Sequence, residues 1–234
     1  MCGSFTSMIY CPVKIVLLGA QGSGKGTQAK YLVEEFKIPH ISTGDLFRQN
    51  VANKTPLGLR VQEALNSGAL ISDDLTVEML IERLKEPDTK NGYILDGFPR
   101  TVNQAQLLHR ALALLDTPNP KPVRATIALE IKIDDDLAIK RILGRYNCVK
   151  CGKNYNTQLG PVDKCTCGAA LEQRADDTEA AIRHRLAQYR SHEKAILEYC
   201  REQGVLVTIH AKENDKPEQI YQSIKLALNT RGLI

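Results

Sequence analysis

The run Val13-Lys14-Ile15-Val16-Leu17-Leu18-Gly19-Ala20-Gln21-Gly22-Ser23-Gly24-Lys25-Gly26-Thr27-Gln28 decides the fold. An apolar, β-branched stretch ends abruptly in glycines, and a lysine then opens a helix-forming segment, giving strand, loop and helix N-terminus in sequence. Glycines allow tight turns and close backbone approach, so successive N–H groups can line an anion-sized nest. The helix N-terminus adds its positive dipole end, and Lys25, directly after Gly19-x4-Gly24, can reach the β- and γ-phosphates of a nucleoside triphosphate. Gly26 follows the lysine, so the hydroxyl comes one step late, at Thr27. A dinucleotide fingerprint fits less well, because Thr27 stands where its last glycine would be and a lysine sits inside it. The stretch predicts a phosphate cradle.

Downstream the pattern alternates. Thr27 to Glu35 reads as a helix with Ala29, Leu32, Val33 and Phe36 inward, and Ile38-Pro39-His40-Ile41-Ser42-Thr43 as a short extended piece. Ser42 or Thr43 can cap the next helix. Helices over roughly 44–53 and 57–67 carry few large apolar residues, so they read as an appended unit rather than core. A helix starts at Asp73, a strand runs from Tyr93 to Asp96, and an amphipathic helix covers 102–115. Pro118, Pro120 and Pro122 make a loop. A buried strand over 125–131, a helix over 134–144, a long helix over 178–203, a strand over 205–209 and a helix over 217–230 complete the chain. Strands alternating with helices imply a doubly wound parallel sheet flanked by helices, with ligands at the carboxyl ends of the strands.

The composition bounds the function. In 234 residues, 43% are hydrophobic and 25% charged, enough for a sizeable core. A net charge of +4 implies no bulk attraction to nucleic acid or membrane, so a basic site must come from local clusters of arginine. No apolar run approaches the roughly 18 residues of a membrane span. Residues 1–12 form an extension without the apolar block of a signal peptide and without arginine, and Cys2 before Gly3 breaks the myristoylation motif. Seven cysteines without a secretory signal favour reduced thiols or metal ligation over disulfides.

Asp96 ends an apolar strand, which suits the acidic position of P-loop enzymes that organises Mg²⁺ through bound water. Arg100 follows Asp96-Gly97-Phe98-Pro99 directly, Arg141 and Arg145 lie four apart on one helix face, and Arg183 and Arg185 point different ways. Guanidinium forks of this kind suit phosphoryl transfer, in which charge spreads over equatorial oxygens.

These motifs, with Ser42-Thr43-Gly44-Asp45-Leu46-Phe47-Arg48, Asp96-Gly97-Phe98-Pro99-Arg100-Thr101 and Gln104, Gln173-Arg174-x-Asp176-Asp177 and Arg183-x-Arg185, resemble adenylate kinases of the long-lid type over about residues 13–230. The resemblance implies Mg²⁺-dependent transfer of the γ-phosphoryl group of ATP to AMP, giving two ADP. It implies ATP contacts by Gly22, Ser23, Gly24, Lys25, Gly26, Thr27, Arg141, Arg145 and Lys216. AMP contacts fall to Thr43, Gly44, Arg48, Ile71, Gly97, Arg100, Gln104, Arg174 and Arg185, with Gln104 reading adenine. Lys25, Arg100, Arg141, Arg145, Arg174 and Arg185 are the implied catalytic set, Asp176 and Asp177 orient lid arginines, and Thr27 and Asp96 serve Mg²⁺. The implied domains are an extension (1–12), a core (13–41, 73–144 and 182–234), an AMP-binding domain (42–72) and a lid (145–181). Two departures concern the fit around AMP: Leu46-Phe47, where Met-Leu is common, and Leu70-Ile71-Ser72-Asp73, where Val-Pro-Asp is frequent. The family implies a monomer, and a cytoplasmic location with mitochondrial as the alternative.

Cys148-x2-Cys151-Gly152 and Cys165-x-Cys167-Gly168 are two knuckles that suit a tetrahedral Cys₄ zinc site stapling a lid with little core of its own. One residue inside the second knuckle is the less common spacing, and the alternative is a zinc-free lid with free thiols. His184 and His192 read as helix-surface residues. Rival functions are GTP:AMP phosphotransfer, which shares the long lid, another nucleoside monophosphate kinase, and a zinc ribbon binding nucleic acid. The last predicts a basic, aromatic-rich face, and 148–168 offers only Lys150, Lys153, Lys164 and Tyr155.

Overall fold

The computed structural model describes residues 13–66, 71–115, 127–160, 162–173 and 177–233. The expectations placed on the extension, the proline loop, Arg174 and Asp176 lie outside the described residues.

In chain order the elements are β1 (Val13–Leu18), α1 (Lys25–Phe36), β2 (His40–Ser42), α2 (Thr43–Ala52), α3 (Pro56–Asn66), α4 (Asp73–Leu84), β3 (Gly92–Asp96), α5 (Val102–Leu115), β4 (Ile127–Lys132), α6 (Asp135–Leu143), β5 (Arg145–Cys148), β6 (Asn154–Asn156), β7 (Leu171–Glu172), α7 (Glu179–Glu202), β8 (Leu206–His210) and α8 (Pro217–Thr230). Five strands form one parallel sheet in the order β2-β3-β1-β4-β8. The expected doubly wound α/β architecture is present.

The apolar runs of β1, β3 and β4 are buried because helices cover both faces of the sheet. One face packs Val13, Ile15, Leu17, Ile127, Leu129 and Ile131 against Ala29 and Leu32 of α1 and Ile220, Ile224 and Leu228 of α8. The other sets Val16, Leu18, Leu95 and Ala128 against Val77 and Leu80 of α4, Leu108 of α5 and Ile196 of α7. Each fully buried Leu or Ile contributes about 1.5–3 kcal/mol of transfer free energy, which makes the sheet a rigid platform for its carboxyl edge.

Register decides what meets at that edge. Asp96 lies opposite Leu17 of β1 on one side and Ser42 of β2 on the other, so the ends of three strands converge on it.

The two short helices after β2 hold a small apolar cluster of their own, Val61 with Leu75 and Met79 of α4, flanked by Phe47, Val51, Leu57 and Ile71. Gly58 lets α3 cross the end of α2: a β-carbon there would stand 2.0 Å from the Asn50 carbonyl oxygen. Ser42 is the capping residue, accepting the Asp45 N–H, and Ser72 caps α4 in the same way. A second, antiparallel sheet of order β6-β5-β7 occupies the cysteine-rich insert.

Candidate active site

The loop between β1 and α1 is shaped by three glycines at positive φ, of which two also allow close approach. A β-carbon on Gly19 would meet the Ile131 carbonyl oxygen at 2.5 Å, and one on Gly22 the Ala138 carbonyl oxygen at 2.6 Å. Gly24 is the N-cap of α1 in the left-handed region, and no side chain caps that helix. Thr27 turns its N–H back to the Gly24 carbonyl oxygen at 3.0 Å, and the first two N–H groups of α1, on Lys25 and Gly26, meet no capping side chain and suit an anion. Ser23 Oγ and Gln21 Oε1 are buried without a hydrogen-bond partner among the described residues.

Lys25 folds its ammonium back onto the loop, donating to the carbonyl oxygens of Gly19 (2.7 Å) and Ala20 (2.8 Å). Burial lowers its pKa, opposed by the charge of Asp96. Asp96 Oδ2 lies 4.0 Å from where a Gly26 β-carbon would stand, so the carboxylate faces the first turn of α1, on which Thr27 is exposed. Burial alone would raise the Asp96 pKa. The hydrogen bond from His40 Nε2 (3.2 Å) and the charges of Lys25, His40 and Arg100 outweigh it and hold the carboxyl below its ordinary value. Thr27 and Asp96 are thus the hard oxygen donors available to a magnesium ion beside the phosphate cradle.

Around Gly97 a second group of polar side chains comes together. Thr43 Oγ1 and Arg100 Nε both donate to the Gly97 carbonyl oxygen, at 3.2 and 2.9 Å. Gly97 has φ +78°, and its missing β-carbon would stand 3.2 Å from Thr43 Oγ1 and 3.5 Å from Arg100 Nη2. Arg100 opens to solvent, yet enough protein surrounds it for burial to lower its pKa, with Asp96 opposing. Arg48 arches over Gly44 and pairs with Asp45. Gln104 is buried; its Oε1 accepts the Arg100 backbone N–H at 2.7 Å and its Nε2 donates to Asp73 at 2.7 Å. Ile71 packs half-buried in the α2–α3 cluster.

Two further arginines are organised by Asp177, whose side chain is fully buried. Arg145 grips it with Nε (3.1 Å) and Nη2 (2.7 and 2.8 Å), and Arg185 Nη2 adds a contact at 3.4 Å. Arg183 instead pairs on the surface with Glu179, so of the 183/185 pair it is Arg185 that turns inward, as the helix spacing predicts. Arg141 donates to the Lys212 carbonyl oxygen at 3.0 Å, and its pKa is lowered by burial, opposed by Asp215. It does not share a helix face with Arg145 as its spacing suggested, because α6 ends at Leu143, Gly144 caps it, and Arg145 begins β5. Gln28 of α1 donates to the Pro217 carbonyl oxygen at 3.0 Å, which brings the start of α8, with Lys216 at its N-cap, against the P-loop helix.

Cys148, Cys151, Cys165 and Cys167 place their four Sγ atoms within 4.8 Å of one another despite the one-residue second knuckle. Backbone N–H groups point at the sulfurs: Lys150 and Cys151 toward Cys148, each at 3.4 Å, and Cys167 toward Cys165 at 3.5 Å. The Cys167 N–H, together with the Tyr155 hydroxyl, brings the Cys165 thiol down to about 5. Cys167 is pushed up to about 12 by sharing hydrogen bonds with Cys165 and Cys148, although the Ala169 N–H acts the other way. An ion that takes four sulfurs tetrahedrally would match this donor set. His184 and His192 lie exposed on α7.

Three partners were not singled out in the sequence: His40 for Asp96, Asp73 for Gln104 and Tyr155 for Cys165. His40 and Asp96 meet only through the β2–β3 pairing, so strand order was the missing signal.

Comparison with known proteins gives the same direction. A family model described as adenylate kinase matches residues 17–205. The chain is 41% identical over 220 residues to "Adenylate kinase" of Clostridium kluyveri, covering 92% of this chain and 98% of that protein. It is 38% identical over 223 residues to "Adenylate kinase" of Lactobacillus johnsonii (93% and 99%). With "Adenylate kinase" of Caldicellulosiruptor bescii it shares 40% identity over 225 residues (94% and 100%).

Proposed function

This chain belongs to the adenylate kinase family, and from that premise we propose how its residues carry the family's phosphotransfer, in which the γ-phosphoryl group of ATP passes reversibly to AMP and two ADP result. The observation that carries the reading is convergence: the phosphate loop with Lys25, the Asp96 carboxylate, and Arg100 and Arg145 close enough to bear on the Lys25 charge.

In the reaction a phosphate oxygen of AMP forms a bond to the γ-phosphorus as the bond to the β,γ-bridging oxygen breaks, so ADP leaves from each side and no proton need be removed from the dianionic nucleophile. Lys25 exchanges the loop carbonyls for β- and γ-phosphate oxygens, and Gly22, Ser23, Gly24, Gly26 and Thr27, which form the loop and the first turn of α1, hold the remaining charge. Arg141 and Arg145 hold the donor phosphates beside Lys216. Thr43, Gly44, Arg48, Ile71, Gly97, Arg100 and Gln104 hold AMP. Arg185, and Arg174 by its place in the sequence, bridge the two. Thr27 and Asp96 would hold, mostly through water, the Mg²⁺ that accompanies ATP, which would supply positive charge to the donor phosphates.

Residues 42–72 serve as the AMP-binding domain and 145–181 as a lid, both closing on substrate to exclude water as a competing acceptor. The four cysteines hold a structural zinc, with no open position for chemistry. The lid's small sheet, with few buried apolar side chains, supports that reading. Among the described residues no helix is long and apolar enough to cross a membrane. The bacterial origin of the relatives supports a cytoplasmic enzyme, the monomer stays what the family resemblance implies, and nothing favours a mitochondrial location or GTP as donor.

A steady-state assay with ATP, AMP and Mg²⁺ should produce two ADP per turnover, with GTP a poorer donor. Lys25→Met should lower kcat by about a hundredfold or more while leaving thermal unfolding unchanged. Near-normal turnover of that variant would overturn the assignment.

A further inference from the structure

Asp73, the first residue of α4, collects donors from the loop after β3 and the first turn of α5. Its Oδ1 accepts from Gln104 Nε2 at 2.7 Å; its Oδ2 accepts from Asn103 Nδ2 at 2.8 Å and Thr101 Oγ1 at 3.3 Å. Thr101 Oγ1 in turn accepts the Gln104 backbone N–H at 3.1 Å, so backbone and side chain of Gln104 are tied to one network. The other end of the Gln104 amide is also held, since Oε1 takes the Arg100 backbone N–H at 2.7 Å.

The two ends are held by groups of opposite and fixed character. A carboxylate only accepts, and a backbone N–H only donates. Turning the amide by half a revolution would set Oε1 against the Asp73 carboxylate and Nε2–H against the Arg100 N–H, two repulsive contacts in a buried place. The polarity that Gln104 presents to a bound base is therefore decided from behind, by a residue with no need to touch the nucleotide.

We propose that Asp73 is the positioning residue that sets the base specificity of the acceptor site, by fixing the orientation of the Gln104 amide. The inference rests on the reading of Gln104 as the base-contacting side chain. With one N–H and one lone pair uncommitted, the pinned amide matches a base that carries a ring acceptor beside an exocyclic donor, as N1 and the 6-amino group of adenine do. A 6-oxopurine offers the reverse, a ring N–H beside a carbonyl oxygen, and mismatches at both atoms. Sites built on such polar pairs discriminate strongly because the wrong ligand leaves buried groups unpaired.

The test is the ratio of kcat/KM for AMP to that for IMP, with ATP saturating. Asp73→Asn keeps the volume but supplies a donor that tolerates the turned amide, while the Arg100 N–H remains. The ratio should fall by about ten-fold, through the acceptor KM values, with kcat for AMP and KM for ATP within about two-fold of wild type. Asn103→Ala, which removes a neighbouring contact but leaves the amide pinned, should keep the wild-type ratio. An unchanged ratio in Asp73→Asn, or an equal loss in Asn103→Ala, overturns the proposal. If Asp73→Asn does not fold, Asp73→Glu, which keeps an acceptor-only group, should retain discrimination that Asp73→Ala loses; equal ratios in those two also overturn it. Gln104→Ala separates the premises. If it leaves the AMP KM and the ratio untouched, the base-reading role of Gln104 fails; if it moves both while Asp73 variants do not, only the role of Asp73 fails.

Discussion

Lys25 and Asp96 face the same cradle, and each moves the other's titration: Asp96 is held down in part by Lys25, and Lys25 is held up by Asp96 against its burial. A carboxyl whose folded-state pKa lies below its unfolded value of about 3.9 binds its proton later than the unfolded chain does. Its contribution to stability is complete above the unfolded value and is lost as pH falls through the folded one. Urea unfolding between about pH 6 and pH 2 should show this as an acid slope that is shallower in Asp96→Asn. At pH 6 that variant should be less stable by about 1 kcal/mol, because the half-buried His40 bond loses its charged acceptor. Parallel slopes for the two proteins would place the acid sensitivity elsewhere. Lys25, Thr27 and Asp96 were legible in the sequence because their chemistry is bound to a local pattern, a strand end followed by glycines or by a turn. His40 and Asp73 were not, since each acts on a partner dozens of residues away and shows no pattern of its own.

Among the elements, those with a long apolar period were readable to within a residue or two: α1, α4, α7 and α8 bury the faces that their spacing demands. The sheet of the insert was not. Its strands Arg-Tyr-Asn-Cys, Asn-Tyr-Asn and Leu-Glu are too short and too polar to alternate, and they pair because the cysteine knuckles bring them together. Such an element has little apolar burial with which to offset its chain entropy, so a metal at the four sulfurs would supply much of its folding free energy. Protein purified without chelator should therefore carry one zinc per chain by elemental analysis. Removing it should make residues 145–172 proteolytically sensitive at temperatures where the five-stranded sheet persists by far-ultraviolet circular dichroism. Metal-free protein with a resistant insert would show that side-chain packing suffices there.

At the scale of the molecule, Lys25 and Arg100 stand beside Asp96, and Arg145 and Arg185 share the buried Asp177, in a chain whose net charge is only +4. Asp177 has a second consequence. Arg145 opens the insert at the start of β5, and Asp177 ends it just before α7, so their bidentate pair clasps the insert at its base. Arg185 on α7 joins the same carboxylate, coupling that clasp to the long helix of the core. The same contact orients Arg145 and Arg185, the arginines proposed above to meet the phosphates. Asp177→Asn should therefore do two things at once. It takes from Arg145 the anion that grips it and from Arg185 one contact, costing about 3 kcal/mol of stability, and it loosens the orientation of Arg145, lowering kcat more than either substrate KM. Amide hydrogen exchange should quicken across 145–172 while β1, β3 and β4 keep wild-type protection. Exchange rising equally in the central sheet would mean that Asp177 holds the core together, and the clasp would have to lie elsewhere.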